Sequence, residues 1–199
     1  MSNAYANMLS FVVDPQRDGI DNALWLTVSG APAVASNKFR FNASEGLVRA
    51  DLLYGRFEFA VTAPLTGVQT VTDLVNDIEF GLKNLSLGTK GKIMLFADKS
   101  EDTFQFSTYD DVGTIQTTAI TWHTGWNGAE ARFRIEWFQD RIVLSVLTSG
   151  SSIWEILASH KTRVGVYPLN PYVKVTGAEN FDVAYILVEK AKESSIMLI

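Results

Sequence analysis

Asp77 and Glu79 stand two residues apart in "DLVNDIEFGLKN" (73–84). In an extended chain that spacing puts both carboxylates on one face, about 6.6 Å apart. Two carboxylates flanking a sugar–sugar bond can hydrolyse it, with carboxyl groups about 5–5.5 Å apart in retaining enzymes and about 6.5–9.5 Å in inverting ones. The same pair also suits the solvent face of a strand, bridged to Arg56, Arg132 or Arg134. Such cross-strand charge pairs contribute only about 0.2–1 kcal/mol. A second candidate is "TWHTGWNGAE" (121–130), where Trp122, His123 and Trp126 stand among Gly125, Asn127 and Gly128. Flat rings can stack on sugar rings while Asn and His bond the hydroxyls. Alternatively, both tryptophans cap a core; Trp126, with polar neighbours, is the better ligand candidate. In "DKSEDTFQ" (98–105), Asp98, Glu101 and Asp102 offer oxygen ligands that could hold Ca²⁺. Their spacing matches no EF-hand loop, so a solvated turn is the preferred reading and no cofactor is expected.

Composition removes several chemistries. The net charge of −5 and the lack of a basic run argue against a nucleic-acid partner. With no cysteine, there is no disulfide, thiol nucleophile or cysteine-bound zinc, and His123 and His160 are too few for a histidine-rich metal site. Neither a G-x-S-x-G elbow nor a glycine-rich phosphate loop occurs. The first 19 residues lack the basic and apolar regions of a signal peptide, and no window approaches the roughly 20 apolar residues of a membrane span. An extracellular, virion or other surface location is expected over a cytoplasmic one, without a recognisable signal peptide.

Period-two alternation dominates the 199 residues, of which 47% are hydrophobic. Strands are expected at 8–14, 23–29, 38–43, 47–53, 54–63, 73–84, 91–99, 102–110, 113–122, 131–139, 141–149, 152–161, 172–177 and 181–191. "FQDRIV" (138–143) and "LTSGSSIW" (147–154) read as hairpin turns, and "KAKESS" (190–195) is a weak helix candidate. Strands at this spacing, with no linker or repeat, predict an all-β, two-sheet antiparallel sandwich as one domain over 1–199. Alternation sets Phe57, Phe59 and Val61 against Tyr54, Arg56 and Glu58, and Phe133, Ile135 and Trp137 against Arg132, Arg134 and Glu136. It likewise sets Ile78 and Phe80 against Asp77 and Glu79, and Phe39 and Phe41 against Lys38 and Arg40. The aromatic faces would build the core; if the strands share a sheet, the polar faces form one charged band. Trp25 and Trp137 are expected in the core, Trp154 in core or interface, and His160 at the surface.

Four segments resemble a known family. "LLYGRFEFAVTAP" is similar to the "YGRFEARIK-P" strand of the laminarinase and lichenase group, members of the concanavalin A-like lectin/glucanase superfamily. "VNDIEF" lies where that group has its active-site strand, E-[ILV]-D-[IV]-E. "ARFRIEWFQDRIVLSV" resembles its "H-Y-x-I-E-W-T-P-D-R-I" hairpin, and "NPYVKVTGAENFDVAYILVEK" its closing strands. The four come in the family's order over roughly residues 47 to 188. The resemblance implies a jelly roll whose concave face holds a β-glycan in many relatives. It also places Val75 at the nucleophile position, Asp77 at the supporting acid and Glu79 at the general acid/base. Valine cannot attack, so the resemblance implies a scaffold without its nucleophile.

The first reading is therefore a non-catalytic, lectin-like carbohydrate-binding jelly roll. Its expected ligand residues are Arg56, Glu58, Asp77, Glu79, Trp122, Trp126, Arg134 and Glu136. A second reading is a structural or decorating subunit of a virion, filament or cell surface, assembling through the apolar end "SSIMLI" (194–199). A third is a divergent β-glycan hydrolase using Glu79 as its acid, with Asp77 beside it.

Overall fold

A computed structural model of the chain describes residues 10–20, 24–50, 54–62, 77–87, 90–98, 103–110, 112–121, 130–161, 167–177 and 180–190. Fifteen strands are formed among them, in two sheets. The first sheet runs β13 (Glu155–His160), β12 (Ile142–Leu147), β11 (Ala131–Trp137), β6 (Gly55–Thr62), β15 (Phe181–Lys190), β4 (Lys38–Phe41) and β3 (Ala33–Ala35). β1 (Ser10–Val13) pairs with the C-terminal half of β15, and β4 with its N-terminal half. The second sheet runs β10 (Ile115–Ala119), β9 (Thr103–Tyr109), β8 (Lys92–Asp98), β7 (Ile78–Lys83), β14 (Asn170–Val175), β5 (Ser44–Val48) and β2 (Trp25–Ser29). All these pairings are antiparallel.

The alternating side chains make these elements and turn them inward. Along β11 every second residue is buried, and Phe133, Ile135 and Trp137 join the inter-sheet core. Phe80 of β7 lies at the centre of that core. Its ring sits 5.6 Å from Phe59, 5.4 Å from Phe133 and 5.6 Å from Phe181, all three from the opposite sheet. Burying one such ring contributes roughly 4–6 kcal/mol before the loss of conformational entropy is subtracted. Trp25 and Trp137 are in the core as expected. The hairpin at 138–141 closes with the Phe138 amide donating to the Arg141 carbonyl at 2.9 Å.

Several boundaries differ from the sequence reading. The strand expected over 47–53 is instead β5, starting at Ser44 and ending at Val48, after which the Ala50 amide donates to Asn170 Oδ1 at 2.8 Å. Asp14 and Pro15 open a one-turn helix, α1 (Pro15–Asp18), in which Asp14 caps the amides of Gln16 and Arg17. His160 is a correction: it is 2% exposed, not a surface residue. It belongs to the inward row of β13, with Nδ1 bonded to the Thr108 hydroxyl at 2.9 Å and Nε2 to the Thr118 hydroxyl at 2.8 Å. The expected helix past Lys190 and the apolar end at 194–199 lie outside the described residues.

Candidate functional site

Glu79 lies on the outward side of β7, the central strand of the seven-stranded sheet. The strand register sets its neighbours in rows. One row is Glu45, Lys174, Glu79, Phe96 and Gln105; the next is Leu47, Tyr172, Gly81, Met94 and Ser107. A third is Asn170, Lys83, Lys92 and Tyr109. Gly81 faces Tyr172 at a φ of 155°, and a Cβ there would stand 2.1 Å from the Ile93 carbonyl oxygen, so only glycine fits.

The long side chains of the third row reach back across this gap. Lys92 Nζ lies 2.6 Å from Glu79 Oε1, which also accepts a hydrogen bond from the Tyr172 hydroxyl. Lys83 crosses the Tyr172 ring, 4.7 Å above its centroid, to pair with Glu45 on β5. Tyr172 is fully buried beneath these groups and forms a second apolar cluster with Leu47 and Met94, flanked by Leu26, Phe96 and Tyr109. Burial first, and then the Glu79 charge, pushes the Tyr172 hydroxyl well above its usual range, and the same two causes raise Tyr109. Burial, helped by the neighbouring Lys92 and Lys174 ammoniums, holds Lys83 down to about 8. Asp77 lies at the start of this face, its backbone exchanging hydrogen bonds with Thr176.

Arg56, Glu58, Arg134 and Glu136 are elsewhere. β6 and β11 belong to the eight-stranded sheet, so these four lie on the opposite outward face of the sandwich. The charged band therefore divides between two faces. Arg134 stands opposite Glu58 and donates to it at 3.3 Å, and Arg56 bonds Glu136 at 3.2 Å and Glu189 at 3.1 Å. The Tyr185 hydroxyl closes over Glu58 at 2.9 Å, and burial and that bond push its pKa up. The Arg134 guanidinium stacks on Trp154 at 3.6 Å from the ring centroid, so Trp154 is a half-exposed cover for this ladder. A cleft of about 210 Å³ lies near the end of β11 and β12, lined by Glu130, Arg132 and residues 147–151. Neither Asp77 nor Glu79 reaches it.

No protein-family model matches the sequence, and no curated protein does. Solved structures do match. The Bacillus licheniformis β-glucanase is similar at a TM-score of 0.67 and 11% identity, over 93% of this chain and 100% of that one. A β-1,3-1,4-glucanase (lichenase) from a mouse hindgut metagenome is similar at a TM-score of 0.66 and 10% identity, over 92% of this chain and 100% of that one. Lectin II from Ulex europaeus is similar at a TM-score of 0.63 and 12% identity, over 92% of this chain and 99% of that one. The fold is that of the concanavalin A-like lectins and glucanases.

The concanavalin A-like fold is shared by lectins and glycoside hydrolases, so it does not by itself say whether this chain catalyses a reaction. Val75, Trp122 and Trp126 lie outside the described residues. So do Glu101 and Asp102 of the Ca²⁺ candidate, while Asp98 ends β8. Among the described residues no group of three or more His, Asp or Glu side chains could hold a metal ion, and no helix is long and apolar enough to cross a membrane. Sequence reasoning did not single out Lys83, Lys92, Tyr172, Phe96 or Tyr109. One signal was available: residues 93–97 of β8, "IMLFA", are apolar without alternation, so that strand carries apolar side chains on its outward face as well as its inward one.

Proposed function

We propose that this chain is a non-catalytic carbohydrate-binding domain, with its glycan lying on the outward face of the seven-stranded sheet. The observation that carries the reading is the pair of half-exposed rings, Phe96 and Tyr109, flanking the Lys92–Glu79 ion pair. The register spaces them by four residues and one strand, about 14 Å, enough for more than one sugar to stack. Glu79, Lys92 and Gln105 supply hydrogen bonds between the rings, and Asp77 extends the face. Trp122 and Trp126 remain candidate stacking residues, whereas Arg56, Glu58, Arg134 and Glu136, ion-paired with one another on the opposite face, take no part in this reading.

The resemblance puts valine where hydrolysis needs its nucleophile, and Glu79 is already engaged by Lys92 and Tyr172. Both favour binding over turnover. The test is affinity electrophoresis against β-glucans, galactans and host-surface glycans, with released reducing ends read in parallel. Retention without release is expected, weakened about tenfold (about 1.4 kcal/mol) in Phe96→Ala or Tyr109→Ala and unchanged in Glu136→Gln on the other face. Release that stops in Glu79→Gln would make the chain a hydrolase. Retention of none of these glycans would overturn the proposal.

A further inference from the structure

Two lysines lie over the buried Tyr172 ring, Lys83 from β7 and Lys92 from β8, and a third, Lys174 from β14, stands in the adjoining row close enough for its charge to act on Lys83. Two carboxylates meet them. Glu79 takes Lys92 and Glu45 takes Lys83. Lys174 stands between Glu79 and Glu45 in register, yet it makes no ion pair among the described residues. The other acids of this face, Asp77 and Asp98, lie one row beyond Glu79, toward the far end of the strands. The cluster thus carries one positive charge in excess, in a chain whose net charge is −5. It is also shielded from solvent, the Lys83 and Lys92 side chains being 16% and 17% exposed.

We propose that Lys83, Lys92 and Lys174 form a subsite for an anionic substituent of the bound glycan, a uronate carboxylate or a sulfate ester. This rests on the glycan-binding reading and names its ligand class. Crowding three ammonium groups around two carboxylates leaves repulsion that one more anion removes, and screening is weak where water is excluded. The depressed Lys83 fits this: burial and two neighbouring ammoniums pull it to about 8 despite Glu45 alongside. A bound anion favours the charged lysine, so affinity falls as pH rises above about 8, where complex formation must take up a proton.

The experiment measures affinity for polygalacturonate, dextran sulfate and a neutral β-glucan, and reads the ratio of acidic to neutral binding. A ratio above about ten is expected, falling about tenfold in Lys174→Gln and unchanged in Arg56→Gln on the opposite face. The preference weakens with salt and again above pH 8. Retention of polygalacturonate alone identifies a carboxylate subsite, and of dextran sulfate alone a sulfate subsite. A ratio near one with neutral glycan still bound overturns this inference and leaves the glycan reading standing. An equal loss in Arg56→Gln marks diffuse charge attraction and overturns it too. Binding of no glycan overturns both.

Discussion

Glu58 and Glu79 both point away from the core, yet each is enclosed by donors. Glu58 is 5% exposed, with Arg134 and Tyr185 over it, so removing it leaves a largely buried guanidinium without its carboxylate. Glu58→Ala should cost about 3 kcal/mol in chemical denaturation. Arg56, whose side chain is 41% exposed, should cost at most about 1 kcal/mol as Arg56→Ala, because solvent screens its pairs. Lys83 makes a pH prediction. Its folded pKa of about 8 lies below the ordinary 10.5, so between those values the unfolded chain holds a proton the folded chain has released. Stability therefore rises with pH from about 8. Near 10 the buried Tyr172 hydroxyl and the partly buried Tyr185 hydroxyl turn the trend over, since the unfolded chain ionises first. The denaturation midpoint should climb between pH 8 and 10 and stay flat there in Lys83→Met. Spacing showed that these residues alternate with apolar ones. It could not show which charges would meet, because the partners come from other strands, β5, β8, β11, β14 and β15, most of them distant in the chain.

Among the elements, β13 departs furthest from its reading. Its last residue follows an apolar run and precedes Lys161, a pattern that suggests exposure. In the folded chain β13 is an edge strand, and His160 spans to β9 and β10 at the edge of the other sheet, against the Phe106 ring at 4.9 Å. Burial lowers its pKa from the ordinary 6.5. As pH falls below that value, the unfolded chain takes up the proton first, and stability drops. His160→Phe should remove this acid-side loss while costing about 1–3 kcal/mol near neutrality, since the Thr108 hydroxyl is left buried and unpaired. Thermal unfolding from pH 4 to 8 checks both. β11 and β6, by contrast, were legible because one face of each is core and the other polar; only Tyr54, just before β6 and read with the polar face, differs, its positive φ of 57° turning its ring onto Trp137 in the core. β8 was placed as a strand, but its second apolar face was not recognised, since a continuous apolar run hides which residues point outward.

At the scale of the molecule, the two sheets share a core centred on Phe80. Phe80→Ala removes contacts to Phe59, Phe133 and Phe181 at once and should cost about 3–5 kcal/mol. Both sheets should then unfold in one transition, with near- and far-ultraviolet circular dichroism coinciding; separate transitions would show that the sheets are not held by this cluster. The outward faces are independent by comparison, being separated by the thickness of two sheets, so substitutions on one should add to those on the other.

Period and order along the chain determined the all-β sandwich, because a half-buried strand needs alternation and each inward aromatic declares its face. They also carried the resemblance to the concanavalin A-like group. Tertiary structure alone decided that Glu79 and Glu58 lie on opposite sides of the molecule. Alternation tells inside from outside within a strand but not to which sheet the strand belongs. Strand pairing sets that, and here it sent β7 to one sheet and β6 and β11 to the other.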